Sequence, residues 1–193
     1  MSASVLYMSM SLDGYIAGPH DEPGRGLGEG GERLHHWGVT PEGEFFRPPG
    51  QAGQLIDEMN ATGAVVVGRR TAEFVDHWGG SHHGAPIFVP SHRPPGPSAA
   101  NYPLVTYVTD GIASAMAQAK AAAGDRTVMV HGAYTAQRAL EAGVLDELEI
   151  HQIPVLLGGG RRLFDVLPSQ VELEIVRVID TPAATHIHYR VRR

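Results

Sequence analysis

Three short runs of apolar, mostly β-branched residues in this chain end abruptly in groups that bind anions. Val65-Val66-Val67 leads into Gly68-Arg69-Arg70-Thr71, Ile87-Phe88-Val89 into Pro90-Ser91-His92-Arg93, and Val128-Met129-Val130 into His131-Gly132-Ala133-Tyr134-Thr135. In the first, a glycine before a possible helix start offers free backbone amides and the positive end of a helix dipole, which suit a phosphate. Arg69 or Arg70 can add a planar guanidinium and Thr71 a hydroxyl. Two arginines after a strand are also commonly just solvated, so this run alone decides nothing. In the third, small residues let backbone amides approach a pyrophosphate closely. Ligands of open α/β sheets bind beyond the carboxyl ends of the strands, so several such ends point to one shared ligand. The chain has no Gly-x-Gly-x-x-Gly at these turns, which disfavours a Rossmann dinucleotide fold.

Other chemistries are narrowed by composition. Eleven histidines, clustered at His35-His36, His82-His83 and His186-x-His188, invite a metal reading. No further ligands are spaced for a zinc site, and no metal is expected. The absence of cysteine excludes disulfides, thiolate nucleophiles and thiolate metal sites, the zinc site of nucleobase deaminases included. Fifteen Lys and Arg against 21 Asp and Glu give a net charge of -6. That balance argues against nucleic acid as a partner and leaves room for a focused anion pocket. No apolar run approaches the ~20 residues of a membrane helix, so no membrane association is expected. The opening residues lack the basic region of a secretory signal, which makes the cytoplasm the expected location. Asp13 precedes Gly14 and either caps a turn or reaches a ligand. Trp37 and Trp78 have the shape to stack on a planar ligand, although core packing is the commoner fate.

The elements that would position these groups alternate. Strand patterns occupy 5–10, 64–67, 87–89, 104–108 and 127–130, with helical patterns at 54–59, 112–123 and 135–142. Thr135 reads as the N-cap of the last helix and Gly143 as its stop. Beyond it, 145–153 is strand-like, 154–163 is glycine-rich, and 171–179 with 185–191 alternate like a closing antiparallel pair. Residues 18–50, rich in Gly, Pro and charge, read as a mobile flap over a site. A length of 193 residues suits one domain spanning 1–193, of α/β class with a mixed sheet.

Taken in order, these runs and the opening Ser11-Leu12-Asp13-Gly14-Tyr15-Ile16-Ala17-Gly18 resemble the dihydrofolate-reductase-like family over nearly the whole chain. Leu145-Asp146-Glu147-Leu148, then Ile153-Pro154-Val155-Leu156-Leu157-Gly158-Gly159-Gly160 and Leu163-Phe164, look like its riboflavin-biosynthesis reductase branch. The resemblance implies a three-layer fold: a central mixed, mostly parallel sheet flanked by helices and closed by an antiparallel C-terminal strand pair. It implies NADPH as cofactor and hydride transfer to a small planar heterocyclic or carbonyl substrate, as in 5-amino-6-(5-phosphoribosylamino)uracil reductase or dihydrofolate reductase. An NADPH-binding regulatory or catalytically idle protein is the alternative.

By the same resemblance, Ile16 and Ala17 would meet the nicotinamide. Gly68, Arg69, Arg70 and Thr71 would meet the phosphates, Ser91 and Arg93 the 2′-phosphate, and His131, Gly132, Ala133, Tyr134 and Thr135 the pyrophosphate turn. Asp13 and His151 are the candidate catalytic residues, His151 standing where dihydrofolate reductases present a hydroxyl to the substrate ring. A homodimer is also implied. Two departures are plain: His131 replaces a glycine usual in the pyrophosphate turn, and the acid that assists pterin protonation would fall near Ala52, with Glu42, Glu44, Asp57 and Glu58 only nearby. Dihydrofolate is therefore not the expected substrate.

Overall fold

Runs that are apolar at every position belong to strands covered on both faces, and the three runs above form the middle of such a sheet. A computed structural model describes every residue except Met1, Val166 and Arg193. Its strands are β1 (Ser4–Ser11), β2 (Tyr15–Ala17), β3 (Ala64–Val67), β4 (Ile87–Pro90), β5 (Val105–Val108), β6 (Val128–His131), β7 (Glu147–Ile153), β8 (Arg161–Arg162), β9 (Leu173–Asp180) and β10 (Thr185–Val191). Eight of them form one sheet in the order β5-β4-β3-β6-β1-β7-β10-β9. From β5 to β7 every pairing is parallel, and β10 pairs antiparallel with both β7 and β9. This is the mixed, mostly parallel sheet with an antiparallel C-terminal pair.

Helices cover both faces. α3 (Ile112–Ala123) and α4 (Ala133–Glu141) bury alanines and Met116 against Leu6, Val66, Phe88 and Val130. The alternate side chains, Val65, Val67, Val89 and Met129, face Ala72 of α2 (Arg69–Phe74) and Met59 of α1 (Gln51–Asn60). A pleated strand sends successive side chains to opposite faces, so one four-residue run feeds both cores.

The structure extends two sequence readings and corrects two others. The helix read at 54–59 extends over Gln51–Asn60. α4 begins at Ala133 rather than after Thr135; its N-cap is Gly132 (φ 94°, ψ 146°), a left-handed-side φ that disfavours a side chain and lets the helix start three residues early. Gly143 does follow the helix, at φ 65°. The 18–50 segment is not a free flap along its length. Leu34 and Trp37 are buried with Ile153 and Ala184, and Trp37 Nε1 donates to Ser9 Oγ at 2.9 Å. Finally, the glycine-rich 154–163 stretch contains β8, which pairs antiparallel with the short β2. Among the described residues no helix is long and apolar enough to cross a membrane.

Candidate functional site

Parallel strands place their carboxyl ends on one edge, and register makes the ends level. Val67 lies beside His131 and Val66 beside Phe88, so the turns at Gly68, Ser91 and Gly132 adjoin one another. β1 and β7 run the same way and bring Asp13 and the 154–160 loop to that edge.

The closest approach is between the two glycine turns. A β-carbon on Gly68 would meet Thr135 Oγ1 at 2.8 Å, and one on Gly132 would meet Thr71 Oγ1 at 3.3 Å. The turns are packed so tightly that only hydrogen fits at Gly68. Thr135 Oγ1 is buried and has no hydrogen-bond partner among the described residues. The first backbone bond of α4 runs from Ala136 N–H to Gly132 O, which leaves the amides of Ala133, Tyr134 and Thr135 without an intrahelical acceptor. Free amides, a helix dipole and an orphaned hydroxyl at one spot suit an anionic group such as a pyrophosphate.

The expected cations divide. Arg69 reaches toward β4: its guanidinium donates to Glu73 (2.7 Å), to Pro94 O (2.8 Å) and, more weakly, to Ser91 Oγ (3.4 Å). Ser91 Oγ also donates to Arg93 O and accepts from Arg93 N–H, closing a small turn. The Arg93 guanidinium has no side-chain partner among the described residues. Arg70 turns the other way and binds Asp21. Thus Arg69, Ser91 and Arg93 share one end of the edge and Arg70 does not join them.

Toward the other end lies a cleft of about 430 Å3, in the size range of small-molecule sites. Its lining includes Tyr15, Asp21, Tyr134, Gln137, Arg161 and Arg162. Of these the sequence reading named only Tyr134 as a site residue. A signal existed: Gly-Arg-Arg at 160–162 repeats the Gly-Arg-Arg at 68–70. Arg162 lies over the Tyr15 ring at 4.7 Å and donates to Asp13 O at 3.3 Å.

Asp13 has the turn role. Its carboxylate accepts from Ser11 Oγ (2.6 Å), Gly158 N–H (2.8 Å) and Leu157 N–H (3.1 Å), tying the end of β1 to the glycine-rich loop. The Ser11 hydroxyl first, and then the two amides, hold its pKa down at about 2. A carboxyl that stays ionised at neutral pH cannot serve as a proton donor. Ile16 and Ala17 sit on β2, with Ile16 packed into the core.

His151 is placed away from the open edge's solvent. Its Nδ1 is 2.9 Å from His186 Nδ1, and Trp37 lies against both rings, with centroids at 4.3 and 4.8 Å. Only one proton fits between two such nitrogens. Burial, reinforced by His186 and His35, holds the His151 pKa well below its ordinary value. His151 and His186 face each other as an antiparallel pair across β7 and β10. His131 is packed near Trp78, its Nδ1 buried without a hydrogen-bond partner among the described residues, and burial with His82 and His35 pushes its pKa down to about 4. Of the acids near the expected pterin position, Asp57 is paired with Arg47 and Glu58 with Arg177. Ala52 is buried. Among the described residues no group of three or more acidic or histidine side chains is arranged to hold a metal.

Comparison with known proteins agrees with this architecture. The RibD C-terminal domain family matches residues 4–187, and the chain belongs to that family. YwjB, an uncharacterized protein of Bacillus subtilis (strain 168), is 26% identical over 191 residues, 96% of each chain. The crystal structure of a putative riboflavin biosynthesis protein from Shewanella sp. PV-4 superposes with a TM-score of 0.73 at 25% identity, covering 99% of both chains. At 14% identity, a likeness of fold alone, the Thermotoga maritima diaminohydroxyphosphoribosylaminopyrimidine deaminase/5-amino-6-(5-phosphoribosylamino)uracil reductase has a TM-score of 0.61 over 99% of this chain and 57% of that one. The riboflavin-type, dihydrofolate-reductase-like fold is thereby established.

Proposed function

We propose that this protein is an NADPH-dependent reductase that passes a hydride to a small planar heterocyclic or carbonyl compound of pyrimidine or pterin type, the kind of reaction named for the Thermotoga relative. The observation that carries this reading is the paired glycine turn, where the orphaned Thr135 hydroxyl faces Gly68 at the end of α4 that carries the free amides. Gly132, Ala133, Tyr134 and Thr135 would hold the pyrophosphate, and Arg69, Ser91 and Arg93 the 2′-phosphate. Bound there, NADPH would supply the hydride. The chain's own part is to bind, orient and exclude water. Asp13 contributes by fixing the glycine-rich loop rather than by exchanging a proton. The protein would work in the cytoplasm.

The test is cofactor preference. NADPH differs from NADH by one phosphate, and a charged hydrogen bond is worth on the order of 1.5 to 3 kcal/mol, so Arg93→Ala or Arg69→Ala should lower NADPH affinity roughly tenfold or more. NADH affinity should barely change. Arg70→Ala, whose guanidinium is turned to Asp21, should move the ratio less. Titration calorimetry of each variant with both nucleotides decides it; a wild-type ratio in Arg69→Ala and Arg93→Ala would remove the 2′-phosphate assignment.

A second reading, an NADPH-binding protein without turnover, is favoured by two features: Trp37 already covers His151, and Asp57 and Glu58 of α1 are in ion pairs. Both readings expect slow or no dihydrofolate reduction, far under the ~10 per second typical of enzymes. Dihydrofolate turnover at that rate, followed by NADPH absorbance, would remove the second reading and show that a group other than the missing acid does the protonation. Oxidation of NADPH with other pterins, flavin precursors or carbonyl compounds separates the first reading from the second.

A further inference from the structure

Two arginines, one from α2 and one from β8, close on one carboxylate at the rim of the cleft. Arg161, on β8, donates from Nη2 to Asp21 Oδ2 at 2.9 Å and to Oδ1 at 3.2 Å, with Nε to Oδ2 at 3.2 Å. Arg70, in the first turn of α2, donates from Nε to Oδ2 at 3.3 Å and from Nη2 to the Asp21 carbonyl at 2.8 Å. The Asp21 side chain is only 17% exposed, while Arg70 and Arg161 are 51% and 42% exposed.

Stability does not explain this arrangement well, because exposed ion pairs contribute about 0 to 1 kcal/mol. Charge does. Two guanidiniums around one carboxylate leave a net charge of +1, which a phosphate dianion neutralises more fully than Asp21 can. The fork of each guanidinium also matches two phosphate oxygens. Tyr134 and Gln137, beside the free amides of α4, line the same cleft.

We propose that Arg70 and Arg161 form a clamp for a phosphate group of the ligand that enters this cleft, and that Asp21 is the chain's own stand-in, which the ligand displaces. The proposal rests on this edge being a phosphate-binding cleft; it does not depend on hydride transfer. Asp21 belongs to a compact loop, in which Gly18 N–H donates to Leu27 O and Glu29 N–H to Pro19 O.

The experiment titrates the full chain with inorganic pyrophosphate and with NADPH at low ionic strength. Asp21→Asn keeps the side chain's shape and removes its charge, and it should raise pyrophosphate affinity about fivefold. Glu22→Gln makes the same charge change next door and should leave affinity at the wild-type value. Arg161→Ala should lower it about tenfold. Unchanged or weaker pyrophosphate binding by Asp21→Asn overturns the clamp, as does an equal gain from Glu22→Gln or a lack of binding by every variant. Stronger pyrophosphate binding by Asp21→Asn with no NADPH oxidation keeps the clamp and removes the reductase reading. NADPH oxidation by the wild type, with Asp21→Asn binding both ligands more weakly, does the reverse.

Discussion

Gly160→Ala should destabilise the protein by about 3–5 kcal/mol, among the largest effects of any single substitution in the chain. Gly160 has φ 119°, and a β-carbon there would lie 2.1 Å from the Ala17 carbonyl oxygen and 2.6 Å from the Gly18 carbonyl carbon. Both obstacles are backbone, so no side chain can swing aside. The glycine-rich loop and β2 would have to part, breaking the β2–β8 pairing that positions Arg161 and Arg162. Disfavoured backbone geometry costs on the order of 1–3 kcal/mol and overpacking a similar amount. In a chain of this size the melting temperature should fall by roughly 10 °C. Gly158→Ala is the control: its φ is 72°, but nothing lies within 4 Å of the added carbon. It should cost only ~1 kcal/mol. Equal losses for the two variants, measured by thermal and urea unfolding, would show that the backbone contact at Gly160 contributes nothing.

The contrast between those two glycines also shows what the sequence can carry. Local pattern located the central strands, because a run such as Val65-Val66-Val67 has few other uses. It located the strand-end turns for the same reason. It did not locate β2 and β8, which are too short to show a period and exist because Gly160 allows the close approach. Thr135 was read as an N-cap by residue preference, yet the positive φ of Gly132 starts α4 earlier and turns the Thr135 hydroxyl toward Gly68. His35, His82, His131, His151 and His186 are scattered along the chain. Only the sheet order β6-β1-β7-β10 brings three of them to neighbouring strands, and the segments at 31–35 and 76–82 bring the others. Trp37 has the shape of a ligand-stacking group; its ring instead meets the chain's own histidines, tilted against His151 and edge-on to His186.

That histidine assembly sets the second large effect: stability should fall steeply as pH drops from about 6.5 to about 4. Burial, helped by neighbouring histidines, pushes His131 and His82 down to about 4 from 6.5, and lowers His151, His186 and His35 as well. A histidine whose pKa is depressed by folding takes up its proton more readily in the unfolded chain. Its contribution is therefore full above the unfolded pKa and is lost as pH falls toward the folded one. At pH 5 the shifts of His131 and His82 correspond to about 2 kcal/mol each, from ~1.4 kcal/mol per pH unit. Their sum is comparable to the lower end of the 5–15 kcal/mol typical of a folded domain, about 5 kcal/mol. His188 opposes the trend, since its bond to Glu149 raises its pKa and adds stability in acid. One raised histidine against five lowered ones leaves the net direction unchanged. Urea unfolding at pH 8 and pH 5 should show a loss of several kcal/mol, and His131→Asn, which cannot take up a proton there, should reduce that loss by about 2 kcal/mol. A wild-type protein equally stable at the two values, or a His131→Asn variant with the full acid loss, would mean that these rings are not held neutral by burial.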